Sequence, residues 1–153
     1  MKVSDILRVK GGGTLYTTTP EDSLADAAKL MAENDIGSLV VLSHGRVVGM
    51  LTFREVIKAT VKNGGSFGTT TVYRAMDSGP LICTMETEMD EVRRMMLDRH
   101  ARYMPVIDNS MLMGVISFYD VAKTVVDSQN FENKMLKAYI RDWPEGKDAT
   151  EAS

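Results

Sequence analysis

Two short pairs of side chains have types and spacing that can do chemistry. Ser117 and Asp120 stand three residues apart in GVISFYDVAK, residues 114–123, where an apolar run gives way to a helical pattern. Thr52 and Glu55 make the same arrangement 65 positions earlier, in GMLTFREVIK, residues 49–58. Each pair falls at a predicted strand-to-helix junction. There a hydroxyl and a carboxylate have two uses. They can cap the helix, because its first N–H groups lack partners inside the helix and Ser, Thr and Asp accept from them. They can also hold a ligand. A carboxylate takes strong charge-assisted hydrogen bonds from hydroxyl groups, a hydroxyl both donates and accepts, and the free N–H groups attract an anion. On these residues alone both readings stay open.

The other reactive types have no such company. Cys83 is the single cysteine, so no internal disulfide exists, and it has no Cys or His neighbour to activate it. It reads as a small buried residue. His44 falls in a turn, and His100 has no evident partner. Twelve methionines suggest an adaptable core rather than a soft-metal site. The glycine-rich stretches 10–13 and 62–71 lack the Lys-Ser/Thr pair of a phosphate-binding loop and the spacing of a dinucleotide fingerprint, and read as linkers. With no nucleophile–base pair, no cluster of metal-ligand residues and no His beside a carboxylate, the chain is expected to be neither an enzyme nor a metal protein.

The totals narrow the class. At 153 residues, 44% apolar and 25% charged, the chain suits one globular domain or two very small ones. A net charge of −3 without a basic tract argues against nucleic acid as the main partner, while leaving room for a local basic pocket. No apolar run nears the ~20 residues that span a bilayer, and the opening MKVSDILRVKGGG makes a poor secretory signal. One cysteine fits a reducing compartment. The expected location is the cytoplasm, or an organelle matrix if a targeting segment was removed.

The elements that must position the two pairs come as a duplication. Residues 15–62 align on 80–127 at a constant offset of 65 without a gap: Thr19 on Thr84, Met31 on Met96, Val41 on Val106, Gly49 on Gly114, Phe53 on Phe118. Each copy predicts an extended piece (15–18, 81–84), an amphipathic helix, two apolar strands (38–42 and 47–53; 103–107 and 112–118) and a last helix (54–62, 119–127). Pro20-Glu-Asp-Ser23 signals a helix start, and His44-Gly45 and Asn109-Ser110 suit tight turns. The order is β-α-β-β-α, twice. One such unit leaves a sheet face too apolar to stand alone, so the two are expected to pack sheet to sheet with pseudo-twofold symmetry, in an α/β (α+β) class. Val3–Leu7 and Val72–Met76 read as matching helical lead-ins. The expected divisions are a first repeat with lead-in and linker (1–70), a second repeat (71–128), a helix carrying Phe131, Met135, Leu136, Tyr139 and Ile140 (129–144), and a disordered tail (145–153).

These features resemble a tandem pair of CBS domains, a Bateman module. The carrying residues are Asp35-Ile-Gly-Ser-Leu-Val-Val41 with Gly49-Met-Leu-Thr-Phe-Arg-Glu55, and His100-Ala-Arg-Tyr-Met-Pro-Val-Ile-Asp108 with Gly114-Val-Ile-Ser-Phe-Tyr-Asp120. The second set follows the family pattern more closely. The chain is similar to the small free-standing two-CBS proteins.

The resemblance implies a non-catalytic regulatory module that binds an adenine nucleotide between the repeats and passes a conformational change to a partner, such as an enzyme or a transporter. Family ligands are AMP, ADP, ATP, NAD(H) and S-adenosylmethionine; AMP is the one expected here. By carry-over, Ser117 and Asp120 hold the ribose. Ile82, Cys83, Thr84, Tyr103, Met104 and Pro105 border the adenine. Arg102, and after it Arg99 and His100, face phosphate, with a solvated surface charge as the other reading of Arg102. In the first repeat Thr52 is kept, but Glu55 replaces the aspartate, moving the carboxylate by ~1.5 Å. Arg54 then either reaches a phosphate across the pseudo-twofold or is a solvated charge. The Ser117/Asp120 cleft is expected to be the better one. The family also implies a homodimer, with helix faces such as Leu24/Met31 and Val121/Val125 as candidates. A ligand-independent dimerisation or scaffolding module is the competing function.

Overall fold

The structure is a computed structural model that describes residues 1–11 and 15–141. Among the described residues the order is α1 (Val3–Lys10), β1 (Thr17–Thr18), α2 (Leu24–Glu33), β2 (Ser38–Ser43), β3 (Arg46–Thr52), α3 (Phe53–Lys62), α4 (Val72–Ala75), α5 (Met89–Arg99), β4 (Tyr103–Asp108), β5 (Met111–Ser117) and α6 (Phe118–Arg141). The chain divides into two bodies: Met1–Phe118, which holds both sheets, and the stretch from Tyr119 onward. No helix among the described residues is long and apolar enough to cross a membrane.

The duplication is visible in the first body. β2 and β3 pair antiparallel with Ser38 opposite Thr52; β4 and β5 do the same with Tyr103 opposite Ser117. Both hairpins slip register at one matched place, Val41/Leu42 and Val106/Ile107. Both turn through two residues of positive φ, His44 and Gly45 in one, Asn109 and Ser110 in the other. That geometry matches the right-handed twist of the strands, and it gives His44 a backbone role. Asp35 and His100, also 65 apart, share a left-handed φ of 50° and 52° where the chain leaves α2 and α5. β3 and β5 bring the two sheets against each other.

The leading strand is fuller in the first copy. β1 pairs parallel to β2 over Thr17↔Val40 and Thr18↔Val41. In the second copy only Cys83↔Val106 survives, through Cys83 N–H to the Pro105 carbonyl (3.1 Å) and Ile107 N–H to the Cys83 carbonyl (2.8 Å). The missing rung would need an N–H from residue 105, and proline has none. The expected strand 81–84 is therefore one parallel rung.

The lead-ins are exchanged between the repeats. α1 joins the second: Val3 N–H bonds the Thr87 carbonyl at 2.9 Å, Ser4 N–H bonds that of Met85 at 3.0 Å, and Val3 and Ile6 are buried. α4 joins the first: Val72 N–H bonds the Asp22 carbonyl, and Leu24 N–H that of Thr70, both at 2.9 Å. Glycines make room for this. A Cβ on Gly49 would lie 2.7 Å from both the Asp77 carbonyl oxygen and the Met76 sulfur, and one on Gly114 would lie 3.0 Å from a Leu7 methyl.

The first core cluster is Leu24, Ala27, Met31, Leu39, Val41, Leu51 and Val72. Leu24 and Met31 are thus interior, at 0% and 1% exposure, and not the self-association face the sequence suggested. Val121 is buried as well. The amphipathic pattern that put Leu24 and Met31 on one face of α2 was sound; that face turns inward. In the second copy Met89, Val92, Met96, Met104, Val106 and Ile116 are buried.

In the second body, the two helices expected around 119–127 and 129–144 are one continuous helix of 24 residues, α6. The intervening Ser128-Gln-Asn130 contains neither glycine nor proline, so nothing in the backbone stops it. Phe131, Met135, Leu136 and Tyr139 on it are exposed. The expected glycine loop at 10–13 lies partly outside the described residues, and the helix stop at 142–144 and the tail 145–153 lie wholly outside them.

Candidate functional site

Backbone pairing in the first body gathers most of the expected ligand residues at one strand-to-helix junction. The Cys83↔Val106 rung sets Ile82, Cys83 and Thr84 beside Pro105. The Tyr103↔Ser117 pair sets the start of β4 against the end of β5. Phe118 N–H donates to the Arg102 carbonyl at 2.7 Å, which ties Arg102 to the first residue of α6. Ser117 closes β5, and Asp120 lies in the first turn of α6, where Thr124 Oγ1 donates to its carbonyl at 2.9 Å.

Exposure sorts these residues by what each can offer. The side chains of Arg102, Ile82 and Thr84 are exposed, and Tyr103, Ser117 and Asp120 are half-buried. Met104, Pro105 and Cys83 are buried. Burial also pushes the Cys83 thiol up to about 11, and its sulfur lies 3.8 Å from the Pro105 carbonyl oxygen. A thiol protonated at neutral pH is a poor nucleophile. Thr84 is partly engaged: its N–H donates to Thr87 Oγ1 at 3.0 Å, and the two hydroxyls are 3.2 Å apart. Thr87 was missed by sequence reasoning. Its signal was the repeat itself, since Asp22 does the same for Thr19 N–H at 2.9 Å. Asp22 also accepts from the buried Thr18 hydroxyl at 2.8 Å, and these bonds hold its carboxyl below the usual range. His100 and Arg99 end α5 with exposed side chains.

The junction in the first repeat is held by Thr52 and Glu55. Glu55 Oε1 accepts from Thr52 N–H at 3.1 Å and from the Thr52 hydroxyl at 2.8 Å, while Thr52 Oγ1 accepts from Arg54 N–H at 3.2 Å. This is a reciprocal cap on α3. Asp5 makes the same backward bond at the start of α1, accepting from Lys2 N–H at 2.9 Å. Thr52 and Glu55 thus cap α3. Arg54 is exposed in the first turn of α3.

Comparison with known proteins gives a consistent picture. The CBS domain family matches residues 13–62 and 72–127. The CBS domain-containing protein CBSX3, mitochondrial, of Arabidopsis thaliana is 31% identical over 148 residues, covering 91% of this chain and 71% of that protein. The crystal structure of the CBS-domain containing protein ATU1752 from Agrobacterium tumefaciens matches with a TM-score of 0.75 and 31% identity, over 81% of this chain and 98% of that one. CBSX2, crystallised in complex with AMP, shares the fold with a TM-score of 0.68 at 22% identity, over 84% of this chain and 98% of its own.

Proposed function

The chain belongs to the CBS-domain family, and we propose that it is a non-catalytic regulatory module that binds an adenosine nucleotide at the Ser117 junction, with AMP as the ligand. The observation that carries this reading is the grouping of Ile82–Thr84, Arg102–Pro105 and Ser117 at one strand-to-helix junction, with Asp120 three residues further along the chain. The exposed Ile82 side chain suits the apolar face of an adenine. The Asp120 carboxylate suits two vicinal ribose hydroxyls, and the Arg102 guanidinium suits a phosphate. AMP in a crystal of a protein of the same fold supports this choice of probe. Binding then biases the arrangement of the two repeats and is read by a partner, an enzyme or a transporter.

The test is calorimetry with AMP, adenosine and GMP. AMP is expected to bind at least about tenfold, or ~1.4 kcal/mol, more tightly than adenosine if one charge-assisted phosphate contact forms, and Arg102→Ala to remove most of that difference. AMP that neither binds nor raises Tm at millimolar concentration refutes the reading.

A second reading, self-association, rests on its own observation. Phe53, Ile57 and Val61 form a row along α3 at one-turn spacing, 52%, 61% and 73% exposed. A second copy related by a twofold axis, the commonest closed symmetry, is the occupant that suits this row. Light scattering is expected to find a dimer for the wild type and a monomer for Ile57→Glu. A wild-type monomer at tens of micromolar, with and without AMP, rejects it.

A further inference from the structure

We infer that Tyr103 locks the first strand-to-helix junction shut, so that each chain has one nucleotide site rather than the two that its duplication implies. The nucleotide part rests on the reading above; the lock rests on geometry in the first body alone. Gly37 precedes β2, and its carbonyl accepts from Phe53 N–H, the first residue of α3, at 3.3 Å. Whatever stands over Gly37 therefore stands at the approach to Thr52 and Glu55. That place is taken by a residue of the other repeat. The Tyr103 hydroxyl sits where a Cβ on Gly37 would be, with its Cζ only 2.8 Å from that point, and Phe53 Cε2 flanks the same point at 3.4 Å. A phenol wedged beside Phe53 excludes a sugar from the junction. Behind it, the Glu55 carboxylate is already bonded twice to Thr52.

The duplication supplies a built-in comparison. At the 65-residue offset, Gly37 becomes Arg102, Phe53 becomes Phe118, and Tyr103 becomes Ser38. Both glycine-equivalent carbonyls hold the N–H of the first helical residue, at 3.3 Å for Gly37 and 2.7 Å for Arg102. The junctions are thus framed alike and differ in the residue at 38 and 103. Ser38 holds the position from which Tyr103 spans to the opposite repeat, and a hydroxymethyl group has no such reach. A serine at residue 38 cannot supply the same lock to the Ser117 junction. The Thr52 junction has it because residue 103 is large and residue 37 has no side chain to oppose it.

Two arms test this. The first is a stability cycle that needs no nucleotide. Gly37→Ala places a methyl group on the Tyr103 hydroxyl, and overpacking of that kind is expected to lower Tm by roughly 3–10 °C. In a Tyr103→Ser background the same change is expected to lower it by no more than about 2 °C, because the wedge is gone. A Gly37→Ala penalty of equal size in both backgrounds overturns the lock. The second arm is AMP stoichiometry by calorimetry. Wild type is expected to take one AMP per chain. Tyr103→Ser combined with Glu55→Asp, which removes the wedge and copies the Ser117/Asp120 spacing, is expected to take two. Two AMP per wild-type chain, or one in the double variant, overturns the inference. Failure of AMP to bind any variant counts against the nucleotide reading alone, and the stability cycle then decides the lock.

Discussion

Truncating Glu55 separates capping from ligand binding. Its carboxylate is half-buried and accepts from the Thr52 N–H and the Thr52 hydroxyl through a single oxygen. Glu55→Ala leaves the Thr52 N–H without its acceptor and the hydroxyl free to rotate away from Arg54 N–H. Loss of a cap costs about 0.5–2 kcal/mol. Two bonds at a half-buried site put this one in the upper part of that range, near 1–2 kcal/mol, or roughly 2–8 °C in Tm for a chain of this size. Glu55→Gln is expected to recover part of the loss, since an amide can close the same reciprocal cap. AMP affinity is expected to stay within about twofold of wild type, under ~0.5 kcal/mol. Asp120→Ala is expected to do the reverse, weakening AMP by roughly 10- to 150-fold, ~1.5–3 kcal/mol, as ribose hydroxyls lose a charged acceptor. Thermal unfolding and AMP calorimetry on the three variants give both columns. If Glu55→Ala weakens AMP as much as Asp120→Ala, the assignment of Glu55 to the cap and Asp120 to the ribose is wrong.

Gly49→Ala is expected to lower stability by about 1–3 kcal/mol and Gly114→Ala by less than half of that in urea unfolding, because Gly49 faces a carbonyl held by the reciprocal Met50–Asp77 backbone bonds of 2.9 Å whereas Gly114 faces a movable Leu7 methyl. Ile6→Ala, at a site 7% exposed, is expected to cost about 2–4 kcal/mol. Hydrogen exchange should then rise first near Met85–Met89, the segment α1 holds, and an even rise in both repeats would argue against the exchanged lead-ins. The Cys83 thiol is expected to resist iodoacetamide at pH 8 in the folded protein and react once unfolded. Because its folded pKa is raised to about 11, its stabilising effect is complete below the ordinary thiol value of ~8.5 and is lost as pH rises through 11, a loss that Cys83→Ala should lack.

Much of the fold was legible in the sequence because duplication writes it twice. A gapless 65-residue offset carries Gly49 onto Gly114, Phe53 onto Phe118 and the turn His44-Gly45 onto Asn109-Ser110. Strand and turn chemistry is local, so the hairpins, their two-residue turns and the strand-to-helix junctions followed from periods of 2 and 3.6 residues and from residue type. The grouping of Ile82–Thr84 with Arg102–Pro105 and Ser117 was likewise expected, from the family pattern.

Tertiary structure decided what periodicity cannot encode. An amphipathic pattern says that Leu24 and Met31 share a face, but not whether that face meets the core or a second copy; here it meets the core, and the exposed row is Phe53, Ile57 and Val61. Chain order suggested one lead-in for its own repeat, but hydrogen bonds crossing between Val3 and Thr87 and between Val72 and Asp22 exchange them. Thr52 and Glu55 matched Ser117 and Asp120 in type and spacing, and side-chain placement closes the glutamate on its own helix end. The sequence did not show that the Tyr103 hydroxyl rests on Gly37, 66 positions earlier. Such contacts depend on the distance between chain segments remote in sequence, a quantity that only packing of the two sheets creates.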